Sequence, residues 1–273
     1  MQTMTCYNES TQTLKFGALF NSELKDLPKE TKIIIFENKP IRSEFNKPIK
    51  DLPPNLTSIT FGYKFNHPVD NLLPDSLKYL SFDYCFNQFI DHLPKNLTHL
   101  MFGNYFNQPV NNLPSTITHL QFGWKFNQPV NNLPSSITHL KFKYDFNQQI
   151  DNLPNSLISL SLRGDFNQQI NHLPDSLKFL NICSDFDQSV NHLPKNLECL
   201  GFDSVIPMND IPSHISTIKI IFYPGEQDNG YIDNLPSTIK KIIVNDITKI
   251  HYITKIPFGC EIVEEKIDNE LIH

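Results

Sequence analysis

Residues 117–136 read Ile117-Thr118-His119-Leu120-Gln121-Phe122-Gly123-Trp124-Lys125-Phe126-Asn127-Gln128-Pro129-Val130-Asn131-Asn132-Leu133-Pro134-Ser135-Ser136, and nearly the same phrase stands on either side. Leu97, Ile117, Ile137, Leu157 and Leu177 open lines of the form L-x-x-L-x-F-x-x-x-F-N-Q-x-V-N-x-L-P, each 20 residues after the last. Self-similarity at that period marks a solenoid, in which one unit cannot bury its apolar side alone and must stack on its neighbours.

Counting Leu97 as slot 1, the apolar residues fall at slots 1, 4, 6, 10, 14 and 17, with proline at 18. Slots 3 to 7 alternate with the period of a short strand, so Leu100 and Phe102 point inward while His99, Met101 and Gly103 point outward. Each unit brings the chain back by the same route, which sets the strands side by side in one direction. The fold expected is therefore a solenoid of the leucine-rich-repeat kind. It is a right-handed coil with one parallel β-sheet of about 12–13 short strands on rungs ~4.8 Å apart. Phe106, Val110 and Leu113 close the coil and Pro114 makes its corner. Twenty residues leave too little chain for a full helix, so the return side should be extended or 3₁₀. Slot 11 holds Asn66, Asn87, Asn107, Asn127, Asn147 and Asn167, then Asp187. A polar side chain held between apolar neighbours satisfies backbone groups that no strand ladder reaches, and this column is read as a structural asparagine ladder.

Followed outward, the register divides the chain into a lead of residues 1–10, repeats over 11–204, degenerate repeats over 205–259 and a cap over 260–273, all in one continuous domain. The steps from Thr31 to Leu56 and from Ile215 to Ile239 hold insertions, around Glu37–Glu44 and Tyr223–Gly230. The polar end from Glu261 suits either a strand or a short helix.

Apolar residues make up 39% and charged residues 19%, a balance that folds and does not favour disorder. Twenty-one Phe and 20 Pro against 9 Gly suit short extended pieces joined by stiff corners. A net charge of −6 disfavours tracking along a phosphate backbone, so nucleic acid is not an expected partner. No run approaches the ~18 apolar residues of a membrane span, and no basic and apolar leader opens the sequence. The chain is thus expected to be soluble and cytoplasmic. Its five cysteines, Cys6, Cys85, Cys183, Cys199 and Cys260, have no paired spacing and are expected to be free thiols.

The phrase from Phe126 to Leu140 closely resembles the FNIP repeat, a family related to leucine-rich repeats and found in social amoebae and in giant DNA viruses of amoebae. The resemblance runs through residues 20–204 and, more weakly, beyond. It implies a protein-interaction module. Some members carry an N-terminal F-box coupling bound targets to a ubiquitin ligase. Here the repeats begin near Thr11, so any such link is expected to be indirect.

Solenoids bind through side chains not needed for stacking, which directs attention to slots 3, 5, 7 and 8. Slot 8 reads Tyr63, Tyr84, Asn104, Trp124 and Tyr144, with Tyr105 alongside. Such aromatics serve as interaction hot spots or, equally, as a cover over the asparagine ladder. Slot 3 holds His99, His119 and His139 on consecutive rungs, a metal or pH-sensing row unless the Thr-His-Leu tripeptide is simply copied with the repeat. Lys141, Lys143 and Arg163 form a basic spot for an acidic partner or are ordinary surface charge. No phosphate-cradling glycine loop, G-x-S-x-G or H-E-x-x-H occurs, and no cofactor or enzymatic activity is expected. The leading expectation is a monomeric scaffold binding a protein through the exposed sheet face. The alternatives are a structural or self-associating protein and, third, a metal-dependent activity at the histidines.

Overall fold

A strand of three or four residues, a turn, an extended return and a proline corner make one coil, and successive coils stack into a parallel β-solenoid with almost no helix. The computed structural model describes residues 5–183, 185–203, 211–222 and 231–266. The chain divides into two compact units, Met1–Phe146 and Asn147–His273.

The first unit contains β1 (Thr5–Asn8), β2 (Thr13–Phe16), β3 (Ile33–Phe36), β4 (Ser58–Thr60), β5 (Tyr79–Ser81), β6 (His99–Met101), β7 (His119–Gln121) and β8 (His139–Phe142), hydrogen-bonded in chain order. From β2 onward every pair is parallel and in repeat register, His99 opposite His119 and His119 opposite His139. The second unit contains β9 (Ser159–Leu162), β10 (Phe179–Ile182), β11 (Cys199–Asp203), β12 (Thr217–Ile221), β13 (Lys241–Val244) and β14 (Glu261–Glu264), again parallel and in order.

β1 departs from the expected parallel pattern. It runs antiparallel to β2, with Thr5 opposite Phe16 and Asn8 opposite Thr13. Residues expected only to lead into the repeats thus form a hairpin strand, which pairs the outer edge of β2. At the other end Glu261–Glu264 is a strand and not a helix. Among the described residues the return side carries one 3₁₀ segment, Ile247–Tyr252, capped by the Asp246 side chain accepting from the Thr248 N–H. The insertion at Tyr223–Gly230 and the end of the cap beyond Lys266 lie outside the described residues.

The core lies inside each coil. Leu97, Leu100, Phe102, Phe106 and Val110 are buried, as their slots require. The two phenylalanines of a coil lie face to face, Phe102 and Phe106 3.7 Å apart and Phe122 and Phe126 also 3.7 Å. They also stack on the next coil, 5.6 Å from Phe102 to Phe122 and 6.1 Å from Phe106 to Phe126. Aromatic pairs contribute ~0.5–1.5 kcal/mol beyond their buried area, so two columns of rings bind coil to coil. At the corner the proline carbonyl accepts the N–H three residues on, as from Ile117 to Pro114 and from Leu157 to Pro154. Leu113 and Leu133, expected inside, are only half-buried because the corner leaves one side of them to solvent.

Candidate functional site: the outer face of the first unit

The asparagine column hydrogen-bonds along the stack. Asn66 Oδ1 accepts the Asn87 N–H at 2.9 Å, Asn87 that of Asn107 at 2.9 Å and Asn107 that of Asn127 at 3.0 Å. In the second unit Asn147 accepts from Asn167 at 3.0 Å and Asn167 from Asp187 at 3.2 Å. The same oxygens also accept the side-chain amide of the next glutamine, as Asn107 does from Gln128 at 3.1 Å. The sequence reading missed the glutamines' part, although slot 12 repeats as faithfully as slot 11. With its oxygen used twice, the column is stacking apparatus.

At slot 3 the rings of His99, His119 and His139 lie parallel, 4.3 and 4.2 Å apart. Each Nδ1 is 2.9 Å from the Oγ1 of the preceding threonine, Thr98, Thr118 or Thr138. Each of those hydroxyls already gives its one hydrogen to a carbonyl of the previous rung, at 3.0, 3.2 and 3.1 Å. The neutral imidazoles must therefore carry their hydrogen on Nδ1 and donate it to the threonine, which leaves the Nε2 lone pairs facing away. Burial first, and the neighbouring imidazoles second, hold His119 and His139 below the ordinary range. Parallel rings direct their Nε2 atoms side by side and not toward a common point. Among the described residues no group of three or more His, Cys, Asp or Glu is placed to hold a metal ion.

The slot 8 aromatics form a continuous strip. Tyr63 stacks on Tyr84 at 4.6 Å, and Tyr105 leans edge-on against Tyr84 at 4.9 Å, standing beside the slot where Asn104 breaks the row. Trp124 meets Tyr84 at 6.5 Å and Tyr144 at 5.2 Å, both edge-on. Tyr105 and Tyr144 are 47% and 52% exposed, and the other three rings are half-buried. Two buried-side groups hold one end of the strip. Asn38 Oδ1 accepts the Tyr63 N–H at 3.0 Å, and Asp83 Oδ1 accepts the Tyr84 N–H while its Oδ2 accepts from Asn38 at 2.7 Å. Burial pushes the Asp83 carboxyl up, opposed by the Tyr84 N–H and the charges of Lys143 and Arg42. The hydrogen bond with Tyr105 raises the Tyr84 phenol. Arg42 lies 4.4 Å over the Tyr63 ring and donates to its hydroxyl at 3.0 Å. Arg42 escaped the sequence reading because it sits in the insertion around Glu37–Glu44, where the period is broken.

Of the residues read as a basic spot, Lys143 and Arg163 are turned away from solvent, each within its own unit. Lys141 is half-buried on the sheet face, but Lys143 is only 7% exposed. Arg163, in the second unit, is turned to Asp203 at 3.3 Å with both side chains largely buried. A Cβ at slot 7 points along the stack into the preceding coil. One built on Gly123 would lie 2.0 Å from the Gly103 carbonyl oxygen. Charges there are carried inward, toward groups such as Asp83, and not out to a partner.

The histidine row and the aromatic strip thus flank one sheet, at the two ends of its strands. Two of the solved structures that the chain resembles are CroV588 and YopM. The crystal structure of CroV588, described as a novel circular LRR protein, has a TM-score of 0.51 and 28% identity over 92% of this chain and 49% of its own. YopM from Yersinia enterocolitica WA-314 has a TM-score of 0.41 and 15% identity over 91% of this chain and 60% of its own. The chain spans about half the length of the first and three fifths of the second. No curated protein sequence matches it. The FNIP Repeat family model matches residues 45–85, 86–125, 109–145, 126–165 and 146–185. These matches run together through just over half of the sequence, and the chain belongs to the FNIP repeat family.

Proposed function

We propose that the chain is a binding scaffold that holds a protein partner on the outer face of its first unit, with the aromatic strip as the anchor and the histidine row as the second contact. The leucine-rich-repeat-like fold is typical of protein-interaction scaffolds. The observation that carries the reading is the strip itself: five touching rings, from Tyr63 to Tyr144, outside the core and backed by hydrogen-bonded Asn38 and Asp83. Rigid aromatics bury much area at little entropic cost and dominate binding energy where they are fixed in advance. The asparagine ladder has its oxygens bonded to the N–H and the glutamine amide of the next coil, so it does not depend on these rings as a cover.

The test is affinity capture from a cytoplasmic extract with the intact protein and with a Trp124→Ala, Tyr144→Ala variant, both checked for fold by circular dichroism. Partners lost with the variant support the reading. A folded variant that retains every partner refutes it.

A further inference from the structure

Resting on that reading, we infer that the segment held by the aromatic strip is a proline-rich peptide in the polyproline II conformation. Four features of the strip point to this class of ligand. The first is spacing. Backbone bonds from Cys85 to Tyr63, Tyr105 to Tyr84, Lys125 to Asn104 and Asp145 to Trp124, at 3.0, 2.9, 2.8 and 2.8 Å, keep the coils at ladder spacing through the strip itself. Two rungs of ~4.8 Å make about 9.6 Å, and one turn of a polyproline II helix, three residues of ~3.1 Å, makes about 9.3 Å. The backbones of Tyr84 and Trp124 stand two such rungs apart on either side of Asn104, so prolines three residues apart keep step with the coils, while the two rings themselves lean together to 6.5 Å.

The second feature is relief. Tyr105, Trp124 and Tyr144 stand at 67 to 72° to their neighbours, so edges alternate with faces. Such a surface is ridged and takes pyrrolidine rings between its ridges, whereas a sugar chain needs flat rings to lie on. The third is charge. The cations beside the strip are already engaged, Lys64 with Glu44 at 2.6 Å, Lys125 with Asp145 at 3.0 Å and Arg42 on Tyr63. A single-stranded nucleic acid requires a positive track beside its stacking platform, and none is free here.

The fourth is hydrogen bonding. The slot 9 N–H groups beside the strip, of Cys85, Tyr105, Lys125 and Asp145, are paired with slot 8 carbonyls of the preceding coil, so this ladder offers no row of alternating free groups for a β-strand to join. Among the described residues the Trp124 indole N–H and the Tyr144 hydroxyl have no protein acceptor. Polyproline II makes no internal hydrogen bonds, so its carbonyls need such donors.

Trp124 is the chain's one tryptophan, so its fluorescence reports directly on the strip. The intact protein is titrated to millimolar concentration with decaproline and with Pro-x-x-Pro decapeptides whose x positions are basic, acidic or apolar. Cellohexaose and oligothymidylate are titrated in parallel. The expected result is a saturable change in Trp124 emission with at least one proline peptide. Its apparent affinity should fall about tenfold or more in Tyr144→Ala, as on loss of a hot-spot ring, and less in Tyr144→Phe, which keeps the ring. No response to any proline peptide overturns the inference, and so does a response confined to the glucan or the oligonucleotide. If the strip variant loses partners in affinity capture while proline peptides leave Trp124 unmoved, the scaffold stands and only the ligand class is wrong. If capture is unaffected by the variant, the scaffold reading itself has failed.

Discussion

Replacing Asn107 by alanine tests the stacking apparatus at one rung. Asn107 Oδ1 accepts two hydrogen bonds, from the Asn127 N–H at 3.0 Å and from the Gln128 amide at 3.1 Å, and its own amide group donates to no protein atom among the described residues. Alanine removes the acceptor and leaves both donors to find water. At ~1 kcal/mol net for each neutral bond, the loss is about 2 kcal/mol. Aspartate offers oxygens at the same positions and gives up only the unused amide, so Asn107→Asp should stay within about 0.5 kcal/mol of the parent at neutral pH. The chain itself uses aspartate at this slot, where the Asp187 N–H is bound by Asn167. Urea unfolding followed by Trp124 emission is a suitable assay, because Trp124 belongs to the coil that Asn107 holds. In a solenoid the measured loss belongs to the interface between two coils. An aspartate variant as unstable as the alanine variant, or an alanine variant as stable as the parent, would refute the acceptor argument.

Phe126, fully buried and 3.7 Å from Phe122, should cost ~3–5 kcal/mol when truncated to alanine, and an unchanged melting temperature would count against the double ring column. His119 and His139 are held below the ordinary imidazole range, so the folded chain prefers them neutral. That contribution is complete above the unfolded value of ~6.5 and is lost as pH falls through the lower folded values, so the first unit should lose stability on acidification. Histidine resonances with midpoints at or above the unfolded value would contradict this. Burial pushes the Cys183 and Cys199 thiols up to about 11, while Cys6 is exposed. Alkylation of the native protein near neutral pH should label Cys6 first, and mass spectrometry showing Cys183 labelled as fast would overturn its assigned burial.

The 20-residue period alone determined the coil, the parallel strands and the inward residues such as Leu100, Phe102 and Phe106, because a side chain repeated at a fixed interval returns to the same face of every turn. Slot 11 was legible for the same reason: a polar residue repeated inside an apolar phrase has to bond along the stack. The aromatic and histidine rows could be aligned from the sequence, but not their ring angles, nor the threonine bonds that leave the Nε2 atoms outward. Arg42 could not be placed, because an insertion removes it from the period and only the folded chain sets it over Tyr63. Lys143 and Arg163 resembled surface charges in the pattern and are turned inward in the structure. The direction of a slot 7 side chain depends on the backbone of the neighbouring coil, 20 residues away, and that proximity exists only once the coils are stacked.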